Sequence, residues 1–210
     1  VTLVGLVLVC IAGACFHAGL YGVGLAAGWL MTFLDTVDGK LARVTLTSSR
    51  FGHYFDHLID LIHPPLWYLL WGLGLSAAQV GGLGLELATC FRLIFAGYVA
   101  GRLVEGSFQL LLGRFSIFCW QPVDSWFRLI TARRNPCLIL LTASVLAGRP
   151  ELGLLAVTGW TVASTLFLLG RLALAGRERL RRGEPLQSWL AEADEPPYAG
   201  TRAARIFAGR

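Results

Sequence analysis

The apolar sequence GLYGVGLAAGWLMTFL, from Gly19 to Leu34, leads directly into DTVDGKLAR, from Asp35 to Arg43, and FGHYFDHLID follows from Phe51 to Asp60. The next long apolar run begins inside this last segment, so the acidic stretch lies between two hydrophobic segments. Charged residues at a membrane boundary are costly and usually functional. This stretch therefore decides both the fold class and the place to look for chemistry.

The four aspartates of this stretch form two pairs. Asp35 and Asp38 are three residues apart and Asp56 and Asp60 are four apart, so each pair shares one face of a helix. Two unit charges about 5 Å apart repel by roughly 3 kcal/mol at an effective dielectric of 20, so four clustered carboxylates need cations. Oxygen-only ligands favour hard cations, which predicts Mg²⁺ or Mn²⁺. Two divalent ions would balance the four negative charges. A two-metal site suits displacement at phosphorus.

The composition is that of an integral membrane protein. Hydrophobic residues make up 55% of the 210 residues and charged residues 15%, against about 45–50% and 25% in soluble domains. The net charge of +5 comes from basic residues that flank hydrophobic spans, which indicates anionic lipid and not nucleic acid as their partner. The first residue is Val1 and not Met, so we expect the native protein to begin earlier.

The apolar segments predict an all-α membrane protein of about six transmembrane helices, because about 20 apolar residues span the hydrocarbon core. The fifth segment is short and the second continues as a helix past Leu34. The segments are 1–18, 19–34, 54–78, 87–112, 136–148 and 152–174. Residues 1–175 form the predicted transmembrane domain. Residues 176–210 form a basic cytoplasmic tail that we expect to be partly interfacial or disordered.

Basic residues predict the orientation. They follow the second, fourth and sixth segments, whereas the opposite side offers only Arg149. The positive-inside rule then places the termini and the active site, at the ends of helices two and three, on the cytoplasmic side. In a bacterium this would be the inner membrane. Arg133 and Arg134 lie at an interface, where membrane anchoring is favoured over binding of a lipid or substrate phosphate.

The ordered pattern resembles the signature of the CDP-alcohol phosphotransferase family, Asp-x2-Asp-Gly-x2-Ala-Arg-x8-Gly-x3-Asp-x3-Asp. Every fixed position is filled, by Asp35, Asp38, Gly39, Ala42, Arg43, Gly52, Asp56 and Asp60. The resemblance implies that Asp35, Asp38 and Asp56 are metal ligands and that Asp60 is both a ligand and the catalytic base. It also implies that the glycines and the alanine make room for the nucleotide and that Arg43 approaches the diphosphate. Relatives are often dimers, so a homodimer is the default.

A polar stripe on the third helix continues beyond the motif. His53, Asp56, His57, Asp60 and His63 follow one another in steps of three or four. We assign His53, His57 and His63 to a candidate acceptor pocket, in preference to a zinc site. Arg102 is a further candidate for that pocket, although an ion pair with Glu105 three residues on is an equal alternative.

The resemblance leaves two substrate arrangements open, both releasing CMP in phospholipid synthesis. CDP-diacylglycerol donates a phosphatidyl group to a small polar alcohol in the first, which the compact six-helix plan favours. A CDP-linked headgroup is transferred to a lipid alcohol in the second. The stretch Phe55-Asp56-His57 favours it, since it resembles choline and ethanolamine phosphotransferases. A cation-coupled transporter is an alternative from another class, disfavoured because the acids cluster at one face.

Overall fold

The computed structural model describes the backbone of residues 2–45 and 50–209. Within these ranges it also describes the side chains, except those of residues 2, 38, 39, 41–45, 50–58 and 60. Every regular element in this part of the chain is helical. The α-helices are α1 (Thr2–His17), α2 (Tyr21–Thr45), α3 (Arg50–Leu73), α4 (Ala77–Gly81), α5 (Leu87–Phe108), α6 (Pro122–Ile130), α7 (Arg134–Leu146), α8 (Pro150–Arg182) and α9 (Arg202–Phe207).

The predicted all-helical membrane architecture is confirmed in its coarse form. Two helical stretches in the described ranges, Leu87–Gly113 and Pro150–Arg182, are long and apolar enough to span a membrane. A third span is added if α6 and α7 count as one broken span, and α1 is a shorter apolar helix. Each of the six apolar segments expected from the sequence coincides with a helix, α1, α2, α3, α5, α7 or α8. That all six cross the bilayer remains a prediction.

One compact unit comprises residues 1–95 and 133–159. Phe16 of α1 is fully buried there, with its ring centroid 5.9 Å from that of Trp67 and 5.1 Å from that of Trp71, both on α3. A Cβ on Gly24 of α2 would lie 2.6 Å from the Phe16 ring, so this position requires glycine for the two helices to approach. The Trp29 indole of α2 donates to the Thr142 hydroxyl of α7 at 3.0 Å. Aromatic packing and small residues thus hold α2 between its neighbours.

The other unit comprises residues 96–132 and 160–210. The Thr165 hydroxyl donates to the carbonyl of Gly97 at 2.9 Å, and a Cβ at Gly97 would meet the Thr161 side chain at 2.8 Å. Small residues therefore let α5 and α8 come close, as is common in membranes. A hydrophobic cluster joins the later parts of α5 and α8 to the segments that follow each of them. Its buried side chains are those of Val104, Phe108, Ile117, Phe118, Trp120, Leu168, Ala175 and Leu186.

The segment after residue 176 also contains regular elements. The α8 helix continues to Arg182, and a 3₁₀ turn at Trp189–Glu192 and the short helix α9 follow. Trp189 is buried in a small cluster with Ala193, Ala203 and Ala204. That this segment is partly interfacial or disordered stays a prediction.

Candidate functional site

The described backbone places the two aspartate pairs on consecutive helices. Asp35 and Asp38 lie on α2, and Asp56 and Asp60 lie on α3. The helical spacing expected from the sequence is therefore present in both pairs. Gly39, Ala42 and Arg43 also lie on α2, and Gly52, His53 and His57 also lie on α3. Asp35 is the one motif aspartate whose side chain is among those described; the predicted side-chain roles of the others lie outside the described residues.

Asp35 forms an ion pair with an arginine that is distant in the sequence. The guanidinium Nη2 of Arg134 lies 2.6 Å from Asp35 Oδ2. The two side chains are largely removed from solvent, with exposed fractions of 14% for Arg134 and 22% for Asp35. Arg134 is the first residue of α7, and its Nη1 also lies 3.5 Å from the Met31 sulfur, one turn before Asp35 on α2. One guanidinium therefore contacts two successive turns of the α2 face that carries Asp35.

His63 is buried on α3, one turn beyond the motif. Its Nδ1 lies 2.8 Å from the carbonyl oxygen of Ile59, and its ring centroid lies 4.8 Å from that of Trp67. Because a carbonyl accepts, Nδ1 carries the proton in this arrangement. The hydrogen bond fixes the ring within its own helix. The predicted acceptor-pocket role of His63 stays a prediction.

Arg102, the remaining candidate for an acceptor pocket, pairs with Glu105 on its own helix. The nitrogen-to-oxygen distance is 2.8 Å, and the guanidinium carbon of Arg102 lies 5.5 Å from the Tyr98 ring centroid. The ion pair expected as the alternative is therefore present. Arg102 and Asp35 belong to different compact units. An acceptor role for Arg102 remains a prediction.

The sequence model of the CDP-alcohol phosphatidyltransferase family matches residues 1–175. The chain belongs to the CDP-alcohol phosphatidyltransferase family. No curated protein matches it, and no solved structure does. As a member of this family it is a transferase that moves a phosphatidyl group from a CDP-linked alcohol to an acceptor alcohol. The resemblance inferred from the motif is confirmed, and the apolar helices agree with a membrane location.

The four aspartates in the motif of this phosphatidyltransferase are of the residue type that binds hard divalent cations. Among the described side chains, no group of three or more histidine, cysteine, aspartate or glutamate residues could hold a metal ion, but three of the four motif aspartates are not among them. Asp35 is, and its Oδ2 accepts from Arg134. A carboxylate offers about four acceptor positions on two oxygens, so the bond to Arg134 leaves capacity for a cation. Carboxylate oxygens are the ligands that Mg²⁺ prefers.

The contact of Arg134 with Asp35 was not predicted from the sequence, in which membrane anchoring was the favoured role of Arg134. Its partner lies 99 residues earlier, and no local spacing pattern connects the two. The available signal was indirect: two adjacent arginines precede an apolar segment in a protein with an acidic motif. Only the packing of α7 against α2 turns that signal into a contact.

Replacing Arg134 with leucine is expected to lower the free energy of unfolding by about 1–2 kcal/mol, because the largely buried Asp35 carboxylate loses a charged donor. Equilibrium unfolding in detergent micelles measures this. Arg92→Leu is the matched control, since the Arg92–Glu86 pair is highly exposed, at 73% and 72%, and such pairs contribute about 0–1 kcal/mol. Equal losses for the two variants would contradict the prediction.

Proposed function

We propose that this protein is a divalent-cation-dependent transferase that moves a phosphatidyl group from CDP-diacylglycerol to a small polar alcohol and releases CMP. The observation that carries the proposal is the complete family motif, with its aspartate pairs on the consecutive helices α2 and α3. Family membership supports the reaction class. The proposed active site faces the cytoplasm, where soluble nucleotide is released.

The proposed roles of the side chains follow the motif. Asp35, Asp38, Asp56 and Asp60 hold Mg²⁺ or Mn²⁺, and Asp60 is also the general base. Gly39, Ala42 and Gly52 have little or no side chain, which lets the nucleotide approach the backbone. Arg43 presents a planar set of donors that matches phosphate oxygens. When bound, the cations neutralise charge on the diphosphate and on the departing CMP.

The proposed reaction is a displacement at phosphorus. Asp60 accepts the proton of the acceptor hydroxyl, whose oxygen forms a bond to the phosphorus that carries the diacylglycerol. The bond between that phosphorus and the bridging oxygen breaks, and its electron pair leaves with CMP. Arg43 donates to the phosphate oxygens where negative charge increases. The four carboxylates titrate as a coupled group, so the base is a property of the site as well as of Asp60.

A CMP-release assay tests the proposal on the purified full chain. We expect release with CDP-diacylglycerol and one member of a panel of polar alcohols, and no release after chelation until Mg²⁺ or Mn²⁺ is restored. Release with CDP-choline or CDP-ethanolamine plus diacylglycerol would instead support headgroup transfer, the arrangement that Phe55-Asp56-His57 favours. Release unaffected by chelation would overturn the metal dependence. Cation flux in proteoliposomes without CMP release would overturn the proposed transferase activity.

Replacing Arg43 with lysine is expected to lower kcat/KM for the CDP-linked donor by about 10–100-fold, because a point charge replaces a bidentate fork. The melting temperature should change little. Steady-state CMP release at varied donor concentration measures the effect. Arg177→Lys, at an exposed position late in α8, is the control with the same chemical change. Kinetics equal to those of the unmodified protein would reject the role assigned to Arg43.

A further inference from the structure

The helix α7 runs antiparallel to α2 and begins beside Asp35. The Trp29 indole of α2 donates to the Thr142 hydroxyl of α7 at 3.0 Å, and Asp35 of α2 pairs with Arg134 of α7 at 2.6 Å. Trp29 precedes Asp35 in the chain, whereas Thr142 follows Arg134, so the two contacts occur in opposite order along the two helices. Since Arg134 is the first residue of α7, helix packing places its side chain next to the first aspartate of the motif.

The three nitrogens of the Arg134 guanidinium each have a partner. Nη2 donates to Asp35 Oδ2 at 2.6 Å, Nε donates to the Asn135 side-chain oxygen at 3.2 Å, and Nη1 lies 3.5 Å from the Met31 sulfur. The group is planar and its donors keep a fixed geometry, so the contacts with Asn135 and Met31 fix the direction of the donor that reaches Asp35. Groups outside the ion pair therefore hold the Arg134 side of this bond.

The carboxylate of Asp35 can accept from Arg134 and still bind a second partner. The bond from Arg134 engages Oδ2, and an ionised carboxylate offers about four acceptor positions on its two oxygens. A short, charged hydrogen bond restricts how the carboxylate can turn without occupying the other positions. Both side chains are largely removed from solvent, so water competes little for the bond. A carboxylate held in this way is suited to ligate a cation in one orientation.

Arg134 has two effects on a cation at Asp35, and they have opposite signs. Its positive charge repels a divalent cation, so charge alone would weaken metal binding. Its hydrogen bond holds the carboxylate in place, and loss of such a supporting partner typically lowers metal affinity by about 10–100-fold. The four motif aspartates carry more negative charge than one arginine balances. We therefore expect the orienting effect to dominate.

We propose that Arg134 is a positioning residue of the transferase, which holds the Asp35 carboxylate in the orientation that ligates the divalent cation. The inference rests on the proposed metal site and adds to it a residue that lies outside the motif, on a third helix. Arg134 acts through Asp35 and does not itself ligate the cation. Metal affinity then depends on the guanidinium at the start of α7 as well as on the aspartates of α2 and α3.

Binding of Mn²⁺ to the purified full chain, followed by electron paramagnetic resonance, tests this role. We expect Arg134→Leu to raise the dissociation constant for Mn²⁺ by about 10–100-fold. Arg134→Lys should raise it less, because lysine keeps the charge and loses the planar fork. Arg92→Leu is the matched control, since it removes an arginine from an exposed ion pair and should leave the dissociation constant unchanged. An unchanged or lower dissociation constant for Arg134→Leu would overturn the proposal, because orientation would then not dominate over charge.

A packing control separates positioning from general destabilisation. Leu138 is fully buried on α7, one turn after Arg134, and Leu138→Ala leaves a cavity without removing the guanidinium. We expect this variant to lower the melting temperature at least as much as Arg134→Leu and to bind Mn²⁺ like the unmodified protein. Equal weakening of Mn²⁺ binding by both variants would overturn the proposal, since metal affinity would then follow packing alone.

Two further comparisons keep the outcome decisive. If Arg134→Leu does not fold, Arg134→Lys takes its place, and Mn²⁺ binding equal to that of the unmodified protein would overturn the role of Arg134. Binding by the unmodified protein together with unaffected binding by the variants contradicts this role alone. Absence of Mn²⁺ binding by the unmodified protein would instead overturn the proposed metal dependence, and the role of Arg134 with it.

Discussion

Replacing Asp38 or Asp56 with asparagine is expected to lower kcat/KM for CDP-dependent transfer by at least about 1,000-fold, equivalent to about 4 kcal/mol of transition-state stabilisation. The amide keeps the size of the side chain but removes the negative charge that a hard cation requires. The remaining aspartates then hold the cations less firmly where charge builds up on the departing CMP. CMP release by the purified variants measures the loss, and binding of Mn²⁺ followed by electron paramagnetic resonance measures the ligand role separately.

The matched control is Glu184→Gln, the same carboxylate-to-amide change at an exposed position after α8. Its activity should equal that of the unmodified protein. Asp35→Asn does not separate two effects, because Asp35 also pairs with Arg134 at 2.6 Å. This substitution would weaken both the proposed metal binding and the packing of α7 on α2. Near-normal turnover by folded Asp38→Asn or Asp56→Asn would contradict the shared-metal site.

The helices and the placement of the motif could be predicted from the sequence because both depend on local patterns. Long apolar runs indicated α1, α2, α3, α5, α7 and α8, and three- and four-residue spacings indicated aspartate pairs on helices. The prediction that α2 continues as a helix beyond Leu34 is confirmed, since α2 ends at Thr45. Periodicity and composition determine these features before any tertiary contact forms.

The contacts that hold the elements together could not be predicted in this way. Asp35 and Arg134 are 99 residues apart and Asp124 and Arg171 are 47 apart, so their pairing depends on how helices pack. The α6 helix was not predicted either, because it has only 9 residues and does not form the run of about 20 apolar residues that indicates a membrane span. In the C-terminal segment, the indole of Trp189 donates to the hydroxyl of Ser125, which lies 64 residues earlier, so this contact also depends on tertiary packing.

Replacing Arg171 with methionine is expected to lower the free energy of unfolding by about 3–5 kcal/mol, because the buried carboxylate of Asp124 loses the guanidinium that balances its charge. Asp124 is 3% exposed and Arg171 12%. The backbone N–H of Gln121 also donates to Asp124 Oδ2, at 3.0 Å, but a single neutral donor does not replace two charged ones. Unfolding in mixed detergent micelles measures the loss.

The double variant Arg171→Met/Asp124→Leu should recover much of that stability, since replacing both partners by apolar residues removes the buried charge together with its counter-ion. Arg182→Met is the matched control on the same helix. It breaks the pair of Arg182 with Glu178, whose side chains are 69% and 32% exposed, and should cost about 0–1 kcal/mol. A loss for Arg171→Met as small as this would mean that water reaches Asp124. The buried face of α6 that carries Asp124 would then not be sealed against α8.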